Sequence, residues 1–218
     1  MSGIITRLVY QKRNKNRVSI FIDDNYAFSL SEILASSLQL GQSLNDDEIA
    51  HLRALDHRQS AMDKALRLLA RRPRSRYEID NALKQAGYAD EIRESVIARL
   101  FEMDYLDDLE FARWWVDNRS EFNPRSIRAL RQELYQKGVS DAVISETLAP
   151  LNDESLAIAA GRQRAYRWQH LSRTAFDKKM FERLQRRGFS YSSARFAVDY
   201  LWEQLHQDAD TEKDGNFD

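Results

Sequence analysis

The sequence predicts a mainly α protein: three tandem three-helix repeat units forming an elongated, curved array, with a small N-terminal β-hairpin/helix extension. Three observations predict it. Glycine and proline are scarce, at 7 and 3 of 218 residues, which favours helix over sheet. β-branched and aromatic residues concentrate in the first thirty positions. Beyond about residue 59, a leucine–glycine–apolar pattern recurs roughly every fifty residues.

The extension covers residues 1–58. Ile4 to Tyr10 and Arg17 to Ile22 read as two antiparallel strands separated by a polar stretch, Gln11 to Asn16. Asp23-Asp24-Asn25 suits a turn, and Tyr26-Ala27-Phe28 adds a short third strand. Ser29-Leu30-Ser31-Glu32 has capping-box spacing, so a helix is expected to begin there and to stop at Gly41. Asn45-Asp46-Asp47-Glu48 opens the next helix.

The repeats follow at 59–106, 107–152 and 153–206. Gly87, Gly138 and Gly188 align them. Four residues earlier stand Leu83, Leu134 and Leu184; directly after stand Tyr88, Val139 and Phe189; thirteen residues later stand Leu100, Leu151 and Leu201. The physics predicts a helix that ends at the glycine in a left-handed turn, with the apolar residue folding back on the helix end. Ser140 and Ser190 then cap the next helix, and Asp90 takes that place in the first copy. Each unit also has an earlier helix. Its inner face is expected from Ala65, Leu66 and Leu69, from Phe111, Ala112 and Trp115, and from Ala159, Ala160 and Tyr166. Residues 207–218 read as an acidic, disordered tail.

No catalytic constellation emerges. There is no cysteine, which excludes disulfides and thiol nucleophiles. Neither a dinucleotide loop nor a phosphate loop is present, and the four histidines are scattered without metal-ligand spacing. Asp107-Asp108 is a carboxylate pair of the kind that holds magnesium in a nuclease. It follows Tyr105-Leu106 and precedes an amphipathic helix, so it reads as a helix cap. Trp114 and Trp115 have the chemistry to stack on bases, but Trp115 shares a helix face with Phe111 and is expected in the core. No cofactor, no metal and no membrane span are expected, and the chain is expected to be a cytoplasmic monomer.

The balanced total of 33 basic and 34 acidic residues hides local fields. The first unit carries Arg71, Arg72, Arg74 and Arg76. In the helix expected from Pro124 to Lys137, with Pro124 in its first turn, Ile127, Leu130 and Leu134 face inward while Arg125, Arg128 and Arg131 lie outward or at the flank. In the helix expected from Asp177 to Arg187, Met180, Phe181 and Leu184 face inward and Lys179, Arg183 and Arg186 outward. Arg119, Arg167 and Arg187 complete the anion-binding candidates. Cationic patches on stacked units suit a long anionic partner, such as nucleic acid or a nucleoprotein filament.

Tyr105-Leu106-Asp107-Asp108, Phe111-Ala112, Trp115-Val116, Arg119, Pro124-Arg125, Arg128, Glu133-Leu134 and Lys137-Gly138-Val139 together resemble the signature region of the RecX family. Gln11 to Asn14 and Val18 to Asp23 resemble the extension of its longer members. The resemblance runs from residue 4 to about 205 and is strongest in the second unit; Asn123 stands where a glycine often precedes the middle helix. It implies the three-unit helical fold and a regulator of the RecA recombinase that has no catalytic residues. Such a protein binds the RecA–DNA filament along its groove and limits its growth and its ATPase, strand-exchange and co-protease activities. Single- and double-stranded DNA would bind weakly, and the basic residues would touch RecA's acidic surfaces, DNA phosphate, or both. A helical-repeat DNA-binding protein acting without RecA is the alternative.

Overall fold

A computed structural model describes residues 2–214, with side chains through residue 206. The acidic segment expected as a disordered tail, 207–218, thus has its side chains and residues 215–218 outside the described residues. The chain divides into two compact units, Met1–Arg74 with Glu78–Leu106, and Ser75–Tyr77 with Asp107–Asp218.

The first unit opens with strands β1 (Gly3–Tyr10), β2 (Arg17–Ile22) and β3 (Asn25–Ser31), the short helix α1 (Glu32–Ala35) and strand β4 (Ser43–Leu44). They form one antiparallel sheet in the order β3-β2-β1-β4. Alternation places Val18, Ile20 and Ile22 of β2, with Phe28 and Leu30 of β3, in the core. Asp23 and Asp24 both take positive φ, 47° and 63°, the backbone a tight two-residue hairpin needs. β3 is longer than expected and absorbs the serines read as a capping box. Ser29 accepts Arg17 through its C=O and Oγ, and the Ser31 N–H donates to Asp56 at 2.7 Å. Ser31 is the residue before α1 but makes no side-chain cap there.

Helix α2 (Asp46–Leu69) starts with the expected capping box between Asn45 and Glu48. It runs without a break through the boundary expected at 58/59, because no glycine or proline interrupts residues 46 to 69. The module and the first repeat therefore share one helix. Its buried Asp56 accepts from both terminal guanidinium nitrogens of Arg17, tying helix to sheet. Helices α3 (Arg76–Gln85) and α4 (Asp90–Glu102) complete the first repeat. Ala89, not Asp90, precedes α4; the Asp90 carboxylate pairs instead with Arg93 at 2.6 Å.

The second repeat consists of α5 (Asp108–Phe122), α6 (Ile127–Gln136) and α7 (Asp141–Leu148), and the third of α8 (Asp153–Trp168), α9 (Arg173–Arg186) and α10 (Tyr191–Asp214). Ser126 caps α6, so Pro124 lies ahead of the helix rather than in its first turn. Helix α9 begins earlier than expected, capped by Ser172. All three middle helices end alike. Gly87, Gly138 and Gly188 take φ of 85°, 73° and 91°. The N–H of each following residue, Tyr88, Val139 and Phe189, donates to the carbonyl of the leucine four residues before the glycine. That is the Schellman closure the spacing predicts. Ser140 and Ser190 accept from Val143 and Ser193 as the expected caps.

The inner face of α8 differs from expectation. Leu156, Ala157, Ala160, Gly161 and Ala165 are buried, while Ala159 and Tyr166 are exposed. Small residues define this face because α10 comes close: a side chain at Gly161 would meet Leu201 at 2.4 Å.

Candidate functional site

Two carboxylates of the second unit turn out to be connectors. Asp107 caps α5, accepting from Leu109 at 2.7 Å and Glu110 at 3.2 Å, as the sequence led one to expect. Asp108, the first residue of α5, accepts the N–H of Arg76, the first residue of α3, at 2.8 Å. Burial raises the Asp108 pKa, and the Arg76 hydrogen bond opposes that rise. One repeat on, Asp153 opens α8 and accepts the N–H of Ile127, the first residue of α6, at 2.7 Å. The glycine ends sit in the same contact. Gly138 lies against Tyr77, where an added Cβ would be 2.3 Å from the tyrosine Cβ, and Gly188 lies against Ser126 and Ala129. Among the described residues, no group of three or more histidines, aspartates or glutamates comes together as a metal site.

The basic candidates separate into three groups by what their charge meets. In the first unit, Arg72 makes a two-pronged ion pair with Glu78 at 2.8 and 3.0 Å. Arg74 donates to the Leu68 carbonyl, and burial, followed by the charge of Arg72, lowers its pKa. Arg71 is exposed. Arg76 is exposed too and counts with the second unit.

In the second repeat, Glu133 is a hub. Its Oε2 accepts Trp115 Nε1 at 2.9 Å and Arg119 Nε at 2.7 Å, and its Oε1 lies 3.4 Å from Arg125 Nε. Arg119 and Lys137 both lie over the Trp115 ring, at 4.6 and 4.9 Å. Trp115 is thus covered by cations and tied to Glu133 rather than presented to a base, and Trp114 packs beside it on Phe111. Arg119 and Arg125 are neutralised within the repeat. Arg128 and Arg131 point outward, and Arg131 donates to Ser145 Oγ.

The third repeat is different. One side of α9 is neutralised: Asp177 and Asp199 hold Arg173 and Arg195. The other side is not. Arg187 donates to the Pro124 carbonyl at 2.8 Å and finds no carboxylate among the described residues. Arg183 has a buried Nε without a hydrogen-bond partner. Burial lowers the pKa of both, then like charge does, from Arg164 and Arg186 on Arg183 and from Arg183, Arg125 and Arg164 on Arg187. Arg183 and Arg187 line a cavity of about 500 Å³ together with Arg162. Arg167 and Arg186 are exposed, and Lys179 stands 6.0 Å over Trp168. The sequence wheel missed Arg162 and Arg164 because they belong to the first helix of the unit. Aligning Asp153 with Asp108 would have flagged Arg164, which then falls on Arg119.

Tandem three-helix modules whose polar faces gather arginines define a helical-repeat scaffold of the binding class. Residues 3–45 match the regulatory protein RecX N-terminal domain, 61–100 the RecX first three-helix domain and 107–148 its second three-helix domain. The chain is 33% identical to the regulatory protein RecX of Lactobacillus johnsonii over 91% of its own length and 74% of the relative's. It is 32% identical to that of Bacillus subtilis over 96% and 81%. The chain belongs to the RecX family of regulatory proteins. A solved structure of regulatory protein RecX superposes with a TM-score of 0.63 at 24% identity, covering 91% of this chain and all of that one. RecX from Lactobacillus salivarius gives 0.56 at 20% identity, over 70% of this chain and 99% of the other. No helix among the described residues is long and apolar enough to cross a membrane.

Proposed function

We propose that this chain is a cytoplasmic, non-enzymatic regulator that binds the RecA–DNA filament and restrains its ATPase, strand-exchange and co-protease activities. The observation that carries the reading is the pair Arg183 and Arg187 of the third repeat, which meets no carboxylate among the described residues, in a member of a family of regulatory proteins. A cavity lined by three arginines against one glutamate fits a partner that supplies further anions, and a nucleoprotein filament offers phosphates and acidic side chains together. Both carboxylates of Asp107-Asp108 are engaged in backbone contacts, which supports a role without chemistry.

The test is the DNA-dependent ATP hydrolysis of RecA with and without the full chain. Inhibition at or below equimolar ratio is expected. No change at stoichiometric or higher ratios sinks the proposal. Tight, steeply salt-dependent binding to bare DNA with no effect on RecA would favour a DNA-binding protein acting alone.

A further inference from the structure

The second and third repeats can be laid on each other residue by residue. Leu130 and Leu134 fall on Met180 and Leu184, all fully buried, and Gly138 falls on Gly188. In that register Glu133 falls on Arg183. On the first helix of each unit, Asp108 falls on Asp153 and Arg119 on Arg164. The Arg119–Glu133 pair at 2.7 Å in one repeat therefore becomes an Arg164–Arg183 juxtaposition in the next. The scaffold is unchanged, but the internal anion has been replaced by a cation.

The surroundings of Arg183 fit a missing anion. Its Nε is buried and unpartnered. Arg162 and Arg187 line the same 500 Å³ cavity. At the rim stand two exposed aromatics, Tyr166 and Phe122, at 58% and 71% exposure. Neither is explained by the core, and a ring beside a cationic cavity is how proteins hold a base next to its phosphate. Glu121 also lines the cavity and would oppose an anion there.

We infer that this cavity binds a backbone phosphate of a single-stranded nucleic acid, with Arg183, Arg187 and Arg162 as donors and Tyr166 as the stacking face for the adjacent base. The phosphate supplies the negative charge that Glu133 supplies in the second repeat. The inference deepens the proposed function by naming where a strand would be held, and it rests on that reading only for its biological setting.

The experiment is fluorescence anisotropy of the full chain with a labelled oligo-dT, run as a salt series. Arg183→Glu restores the second repeat's arrangement by giving Arg164 a carboxylate. It is expected to keep or raise Tm and to weaken oligo-dT binding roughly 10- to 100-fold. Tyr166→Ala, an exposed change, is expected to weaken it roughly 5- to 50-fold and supplies the test should R183E fail to fold. Glu121→Gln should tighten binding. No measurable binding by the wild-type chain overturns the inference, as does wild-type affinity in Y166A or in a folded R183E. Inorganic phosphate or poly-glutamate competing at the oligonucleotide's own concentration would also overturn it, by removing the need for a strand or for phosphate.

The RecA ATPase assay separates the two readings. Loss of oligo-dT binding in R183E beside a wild-type chain that leaves RecA unaffected retains the site and rejects the regulator. A wild-type chain that restrains RecA while R183E binds oligo-dT normally does the reverse.

Discussion

The second repeat pairs Arg119 and Arg125 with Glu133, whereas the third leaves Arg183 and Arg187 without a carboxylate among the described residues, although both repeats are built on equivalent buried positions. Glu133 and Arg183 each directly precede the leucine whose carbonyl receives the Schellman hydrogen bond. The leucine is fixed by the core, but the side chain before it points away and is free to change sign. Scaffold and electrostatics are therefore separable in this fold. Similarity of the repeats says where a polar group will stand, and not what it will meet.

What the repeats share is most readily broken at the glycines. Gly87→Ala forces a left-handed alanine but meets open space, so a loss of about 1 kcal/mol is expected. Gly138→Ala adds a collision with Tyr77 Cβ to the same strain, and the expected loss is about 3 kcal/mol or more. Gly188→Ala should fall between them, since it meets Ser126 Oγ at 2.7 Å and Ala129 Cβ at 3.1 Å, and Ser126 can rotate aside only by giving up its cap on Ala129. Urea denaturation of the three variants gives the order. Equal losses at Gly87 and Gly138 would show that only backbone conformation matters, and that the glycines do not mediate close contact.

The glycine pattern was legible because one local motif demands it three times. The inner faces of α6 and α9 were legible for the same reason: periodicity reports a core. The failures arose where distant partners decide. Ser29 and Ser31 satisfy a local capping rule, yet pairing of β3 with β2 and the reach of Asp56 to the Ser31 N–H hold them in a strand. Ala159 and Tyr166 were misplaced because alanine marks neither face, and the approach of α10 selected Gly161 and Ala165 instead. The arginine list was blind to pairing. Glu78 and Glu133 stand only six and eight residues from Arg72 and Arg125, but a helix wheel does not register pairing across the turn that leads into a helix, and Arg119 meets Glu133 from another helix.

Removing the hub should produce the next largest effect. Glu133→Gln leaves an acceptor for Trp115 but withdraws the charge that Arg119 and Arg125 share. The Glu133 side chain is 18% exposed and Arg119 29%, so the pair exceeds the worth of a surface ion pair. A loss of about 2 kcal/mol is expected in urea denaturation. A change below about 0.5 kcal/mol, the surface value, would mean that solvent replaces the carboxylate and that the second repeat is no more closed than the third.

The smallest effect is the most discriminating, because it should have the opposite sign. Arg164→Gln preserves most of the aliphatic stem while removing the like charge that acts on Arg183 and Arg187. Arg119→Gln, at the equivalent place in the second repeat, removes an attraction instead. At low salt R164Q should therefore raise stability by about 0.5 kcal/mol, while R119Q lowers it by about 1 kcal/mol or more. Because the Arg164 effect is repulsion across partly exposed groups, added salt should erase it. The Arg119 loss should persist in part, since its hydrogen bond to Glu133 does not depend on long-range field. If R164Q destabilises the chain at every salt concentration, Arg164 has an internal partner after all, and the third repeat is charge-balanced in the manner of the second.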